Sequence, residues 1–306
     1  MARRRKPTYS DGPEVGTIDR IVKVGIVQMA MSPSRDENLR LADKLVAEAT
    51  AQGARVVVLP ELFADQYLAQ KMDAARYELA EPIPGEVTGA LSEMAARSGV
   101  TIVGGVYERA AEGLFFNSSL VVSAQGEVVG KYRKTHIPHG PGYEEKFYFA
   151  PGDLGYPVVP VEDVNVGLAI CWDQWFPEVG RALALGGAEL VAFPTAIGDE
   201  PAAPGFSSYE AWKTACRAQA IFNQVFVAGV NRTGKEELLK FYGGSFVCDP
   251  WGRVLVEAGA DDEGAFVADC DLNVIREARA LFQFYRDRRP DTYASLTELS
   301  PRTTPS

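Results

Sequence analysis

VNVGLAICWDQWFPEVGRALALGGAELVAFP, residues 164–194, carries the pattern that decides the fold. Val164 to Ile170 is an apolar run of strand length, Pro177 opens a helix that reaches Leu185, Gly186-Gly187 stops it, and Ala188 to Pro194 is a second apolar run. Strands that are apolar at consecutive positions belong in a sheet covered on both faces.

The stretch repeats an earlier one. IVKVGIVQMA (21–30) reads as a strand, Asn38 to Gln52 as a helix with its apolar side at Leu41, Leu45 and Val46, and ARVVVLP (54–60) as the next strand. A helix from Val87 to Arg97, the strand TIVGGVYE (101–108), and NSSLVVS (117–123) turning into EVVGKYRK (127–134) complete a β-α-β-α-β-β-β half. After Pro194 come a helix from Tyr209 to Phe222, the strand VFVAGVN (225–231), GGSFVCD (243–249) turning into RVLVEAG (253–259), the strand AFVADCDL (265–272) and a helix from Val274 to Phe282. Two such halves predict two mixed sheets packed face to face with helices outside each, a four-layer αββα sandwich in the α/β class. We expect one domain over residues 20–297, a flexible arm over 1–19 and a C-terminal tail over 298–306.

Bulk properties narrow the function. The chain has 306 residues, 46% of them hydrophobic, enough for a large core. Its 41 acidic residues against 31 basic ones give a net charge of -10, which disfavours nucleic acid and anionic membranes as partners. The N-terminus MARRRKPTYSDG lacks the apolar centre of a secretory signal, and no apolar run approaches the roughly 20 residues that cross a bilayer. Cys171, Cys216, Cys248 and Cys270 are scattered without a C-x-x-C pair, which suits free thiols in a reducing, cytoplasmic setting.

The chemistry emerges by elimination. Two histidines, His136 and His139, cannot supply a familiar zinc set, so no metal is expected. The G-x-S-x-G elbow, the P-loop and G-x-G-x-x-G are absent, and a cysteine mechanism remains. Glu61, Lys134 and Cys171 each follow the end of an apolar strand, where ligands converge in α/β sheets. The helix after Cys171 and a nearby ammonium would favour thiolate, and with histidine scarce a carboxylate, Glu61 first, must serve as base. Taken singly, a core thiol, a surface lysine and a helix-start glutamate explain each residue as well.

Read together, LPELF (59–63), KYRKTHIP (131–138) and GLAICWDQWFPE (167–178) resemble the nitrilase superfamily of carbon–nitrogen hydrolases, in its carbamoyl amidase branch. PGYEEKFYFAPGDLGYP (141–157), LVAFPTAIG (190–198), FYGGSF (241–246) and FYRDRRPDTY (284–293) extend the resemblance from Val22 to about Leu296. The resemblance implies a Glu–Lys–Cys triad: Glu61 as general base, Lys134 against the oxyanion and Cys171 forming an acyl-enzyme, with the Trp172 N–H as second oxyanion donor. It also implies that Glu145 orients the lysine or positions substrate and water, that no cofactor takes part, and that the protein is a homo-oligomer, at least a dimer, joined through Pro177–Leu185 and Arg286–Tyr293.

The implied reaction is hydrolysis of a small N-carbamoyl amide. The residues after the cysteine, WDQW, lack the arginine expected for an N-carbamoyl amino acid, as in the putrescine-type branch, which favours N-carbamoylputrescine. Asp173 is an acidic group placed to meet an amine or to cap the next helix, and Trp172 and Trp175 either wall an aliphatic chain or pack in the core. Two departures point elsewhere. His139 stands where that branch usually has aspartate, and ACRAQ (215–219) introduces Arg217, which suits a carboxylate. The alternatives are therefore a β-ureidopropionase-like hydrolysis of N-carbamoyl-β-alanine, a general ω-amide hydrolase, or, in another class, a catalytically silent binding or assembly module.

Overall fold

The computed structural model describes residues 20–299; the expected arm over 1–19 and most of the expected tail lie outside the described residues. In chain order the elements are β1 (Ile21–Gln28), α1 (Arg35–Ala51), β2 (Val56–Val58), α2 (Glu86–Ser98), β3 (Thr101–Ala111), β4 (Leu114–Val122) and β5 (Val128–Arg133). There follow α3 (Glu145–Tyr148), β6 (Val158–Val161), β7 (Val164–Leu168), α4 (Pro177–Leu185), β8 (Leu190–Thr195), α5 (Tyr209–Asn223) and β9 (Phe226–Asn231). The described chain closes with β10 (Thr233–Lys235), β11 (Lys240–Tyr242), β12 (Phe246–Cys248), β13 (Val254–Glu257), β14 (Gly264–Asp271), α6 (Asn273–Leu281) and the short α7 (Phe284–Asp287), followed by two 3₁₀ turns.

Two six-stranded sheets form, in the orders β14-β1-β2-β3-β4-β5 and β13-β12-β9-β8-β7-β6. The β1-β2-β3 and β7-β8-β9 runs are parallel, and the outer strands are antiparallel. Side-chain alternation shows why the strands are apolar on both faces. Val24, Ile26, Val56 and Val58 pack into the core shared with the second sheet, while Val27, Val57 and Leu59 join Leu45, Val46 and Leu91 of the helices outside. On the far side α4 and α5 bury Val179, Leu183, Trp212 and Ala220 against the second sheet. The expected four-layer αββα sandwich is the observed fold.

Three features escape the sequence pattern. β6 is a four-residue edge strand carrying Pro160, β10 and β11 form a separate small hairpin, and β14 leaves the second half to pair antiparallel with β1, from Ile21↔Asp271 to Gln28↔Gly264. Periodicity reports that a segment is extended, not which sheet it joins.

Candidate active site

β2, β5 and β7 release the chain toward one place between the sheets. Beyond β2, Glu61 is held by a close backbone approach: a Cβ added to Gly105 of β3 would lie 2.7 Å from the Leu62 nitrogen. Beyond β5, the Lys134 N–H donates to the Asn117 carbonyl of β4 at 2.8 Å and its own carbonyl accepts from the Gly152 N–H at 2.8 Å. A Cβ on Gly152 would lie 1.9 Å from the Arg133 carbonyl oxygen, so only glycine fits beside this turn. Beyond β7, Ala169-Ile170 lead into a one-turn 3₁₀ helix, Cys171–Trp175, with Cys171 at φ +43°. A non-glycine residue in the left-handed region is strained, and such strain persists where surrounding contacts over-determine it.

Glu61, Lys134, Glu145 and Cys171 come together and all four are buried. The Lys134 ammonium donates to Glu61 Oε1 at 2.8 Å and to Glu145 Oε1 and Oε2 at 2.8 and 2.7 Å. Asn117 Nδ2 also donates to Glu61 Oε1, at 2.7 Å, whereas Glu61 Oε2 has no hydrogen-bond partner among the described residues. Tyr67 donates its hydroxyl to Glu145 Oε1 at 2.6 Å. Behind them the buried Arg232 donates to the carbonyls of Glu61 and Leu62 at 2.6 and 3.1 Å and to Glu236 Oε1 at 2.7 Å. Asn117, Tyr67 and Arg232 gave no signal in the sequence because each sits in an ordinary strand or loop pattern; only the tertiary packing brings them to the glutamates.

Electrostatics bear on the state of the nucleophile. Burial raises the Cys171 thiol well above its ordinary pKa, the charges of Glu61 and Glu145 add to that, and Lys134 opposes it without prevailing. The surroundings therefore favour the thiol over the thiolate, and the sulfur needs a base to take its proton. Burial alone would lower the Lys134 pKa, but Glu145 and Glu61 outweigh it and keep the ammonium charged. Burial also lifts Glu145 to about 7 against the pull of Lys134, with Glu61 lifting it further. Two carboxylates and one ammonium without solvent carry a surplus negative charge, and retaining a proton relieves it.

The thiol borders a cavity of about 160 Å³. Its walls include Trp172, Tyr143, Ile197 and Ala202, and Glu145, His139 and Glu200 also line it. His139 lies 3.2 Å from Glu144, so a charge on that imidazole is offset at the rim. Glu200 was not singled out from the sequence; in PTAIGDEP it reads as one of two loop acids.

Three expected site residues are placed elsewhere. Asp173 is fully buried and accepts from the Ile170 N–H at 2.9 Å, the Tyr132 hydroxyl at 2.7 Å, and the His136 backbone N–H and Nδ1 at 3.1 and 2.8 Å; it is unavailable to an amine and caps the 3₁₀ turn instead of the helix at Pro177. Arg217, on α5, donates from Nε to the Gly252 carbonyl at 2.7 Å and does not line the cavity. Trp175 is absent from the cavity wall and packs against the core, its ring edge-on to Trp172 with centroids 6.4 Å apart. Trp172 alone of the two indoles faces the cavity.

An αββα sandwich with this buried Glu–Lys–Glu cluster beside a strained cysteine agrees with what family comparison finds: the carbon–nitrogen hydrolase family matches residues 23–280, and the chain belongs to that family, within the nitrilase superfamily. It is a hydrolase of non-peptide carbon–nitrogen bonds. Among similar proteins, the N-carbamoylputrescine amidase of Solanum lycopersicum is 39% identical over 290 residues, covering 92% of this chain and 96% of that one. The citrullinase of Francisella tularensis is 34% identical and covers 90% of this chain and 98% of its own length. A crystal structure of a carbon–nitrogen hydrolase from Helicobacter pylori G27 superposes with a TM-score of 0.88 at 34% identity, over 92% of this chain and 99% of that one. A glutamate-to-glutamine mutant of an amidase from Nesterenkonia sp. AN1, 27% identical with a TM-score of 0.73 and covering 89% of this chain and 95% of its own, shows covalent addition of the acetamide moiety of fluoroacetamide at the active-site cysteine.

Proposed function

We propose that the protein hydrolyses N-carbamoyl amines with a cationic tail, N-carbamoylputrescine first among them, with Cys171 as nucleophile. The observation that carries the tail preference is Glu200, a carboxylate in the cavity beside the thiol, while the one imidazole there is paired with Glu144 and Arg217 points away. The similarity to plant N-carbamoylputrescine amidases supports the same reading.

In this mechanism Glu61 Oε2, the unpartnered oxygen, takes the Cys171 proton as sulfur attacks the urea-type carbonyl. The transfer leaves the net charge of the buried cluster unchanged, so it needs no thiolate beforehand. Protonated Glu61 holds Lys134 less strongly, which releases an ammonium N–H toward the growing oxyanion, with the Trp172 N–H as second donor. One nitrogen then leaves with the proton from Glu61. Water, deprotonated by Glu61, attacks the acyl carbon, the C–S bond breaks and the Cys171 sulfur takes back that proton. With ammonia lost in the first half, the carbamic acid released falls apart into carbon dioxide and the free amine. Glu145 holds Lys134 throughout.

The similarity to a citrullinase supports a second reading, in which the tail also bears a carboxylate and His139 meets it. Ammonia release from N-carbamoylputrescine, citrulline, N-carbamoyl-β-alanine and simple amides separates the readings. Activity confined to carboxylate-bearing substrates contradicts the preferred one.

We further infer a homo-oligomer. A groove of about 920 Å³ beside α4 is lined by Pro177, Arg181, Leu185, Phe222, Phe284 and Tyr293, with Leu185 and Phe222 half exposed. Free cysteines support a reducing compartment such as the cytoplasm. Among the described residues no helix is long and apolar enough to cross a membrane, and no group of three or more His, Cys, Asp or Glu is placed to hold a metal ion. Treatment with EDTA is expected to leave activity unchanged.

A further inference from the structure

Asp173 makes contacts beyond the turn it caps. Its two oxygens receive four donors: Oδ2 from the Ile170 N–H and the Tyr132 hydroxyl, Oδ1 from the His136 backbone N–H and Nδ1. Tyr132 and His136 stand two residues before and two residues after Lys134. Ile170 immediately precedes Cys171, whose backbone is strained at φ +43°. One carboxylate therefore grips the segment carrying the ammonium on both sides and ties it to the turn that presents the sulfur.

The surroundings make the grip specific. The Tyr132 hydroxyl accepts from the Thr135 N–H at 3.0 Å, closing the turn around Lys134. The His136 ring stacks face to face on Phe176, with centroids 3.7 Å apart and planes 9° apart, just where α4 begins. An ionised carboxylate is acceptor-only and can serve four donors, whereas an asparagine would offer two N–H groups to partners that are themselves donors. A fully buried carboxylate is costly unless each lone pair is used, which this one achieves.

We propose that Asp173 is a positioning residue that sets the register between Lys134 and Cys171, so that the ammonium meets the oxyanion formed when the sulfur attacks. The proposal rests on the nucleophile reading given above and names what holds its two partners in place. Displacing either by about 1 Å is the kind of error that costs about 100-fold in rate.

The test compares wild type with Asp173→Asn, Tyr132→Phe and Cys171→Ala. Folded active sites are counted by circular dichroism and by mapped iodoacetamide labelling of Cys171. Asp173→Asn is expected to lower kcat per folded site about 10- to 100-fold while KM stays within about threefold, and to move the pH profile of Cys171 alkylation. Tyr132→Phe, which removes one donor on the lysine side, is expected to act in the same direction but less. Should Asp173→Asn fail to fold, Tyr132→Phe and His136→Asn combined provide the same comparison. A kcat per folded site within about twofold of wild type, with an unmoved alkylation profile and only a lower melting temperature, overturns the proposal. Turnover by Cys171→Ala would instead overturn the nucleophile reading, so the two failures are distinct.

Discussion

Lys134 and Glu61 meet through a single oxygen: the ammonium lies 2.8 Å from Oε1, and Oε2 of the same buried carboxylate is left without a partner among the described residues. An unpaired buried carboxylate oxygen is costly, and here it is the atom available to a thiol whose pKa burial raises. This asymmetry leads to the predictions that follow.

The pH dependence of kcat/KM should show one acid limb and no alkaline one up to about pH 10. Glu145 gives up its proton at about 7, held up by burial and by Glu61. Below that value the cluster retains a proton that competes with the one from sulfur, so activity rises with pH through about 7. Lys134 is raised above its ordinary value and stays charged across the range. An acid limb at an ordinary carboxylate value, or a fall between pH 8 and 10, contradicts the charge assignment.

Replacing Lys134 by alanine should reduce kcat by about 100- to 1000-fold, since it removes an oxyanion donor. It also leaves Glu61 and Glu145 facing each other without a cation, so a lower melting temperature is expected too. Glu61→Gln should preserve the hydrogen bond with Lys134 and still lose about 100-fold or more in kcat, because the base is gone. Steady-state kinetics on folded enzyme checks both.

Glu200→Gln should raise KM for N-carbamoylputrescine about tenfold and leave kcat for a simple amide within about twofold, if the carboxylate meets the ammonium tail. Arg217→Ala is expected to change neither parameter for any ureido substrate, because its guanidinium is spent on the Gly252 carbonyl. A selective loss for carboxylate substrates in Arg217→Ala would return the residue to the site.

Stability at acid pH should depend on Glu108. Burial alone would raise its pKa, but hydrogen bonds from Arg133, Ser118 and Lys131 outweigh that and hold it at about 2. The folded value lies below the ordinary one, so the stabilisation is present above about pH 4.5 and is lost as pH falls toward 2. Glu108→Gln should therefore lower the melting temperature at pH 7 and have much less effect at pH 3, read by thermal denaturation at the two pH values.

The legible part of this protein was the part written in local pattern. Apolar strands followed by glycine-stopped helices gave the layers, and Glu61, Lys134 and Cys171 stood out because each follows a strand end. Glu145 was reached through family resemblance, its neighbour Glu144 being indistinguishable by local pattern. What stayed hidden depends on contacts distant in sequence. Asn117 reaches Glu61 across 56 positions and Arg232 reaches its carbonyl across 171. Asp173 and Arg217 looked like substrate contacts because proximity to the cysteine or to a substrate wall does not tell which way a side chain points. The upward shift of the thiol is hidden for a related reason: helix ends and a lysine are visible in sequence, but full burial beside two carboxylates is not.

The most direct test is covalent trapping at Cys171. Wild-type enzyme turning over N-carbamoylputrescine is quenched in acid and its peptides are mapped by mass spectrometry, with Cys171→Ala run alongside. We expect an acyl adduct on Cys171 alone, none on Cys216, Cys248 or Cys270, and no turnover in the alanine variant. Undiminished ammonia release by Cys171→Ala, or an adduct on another cysteine, would contradict the account.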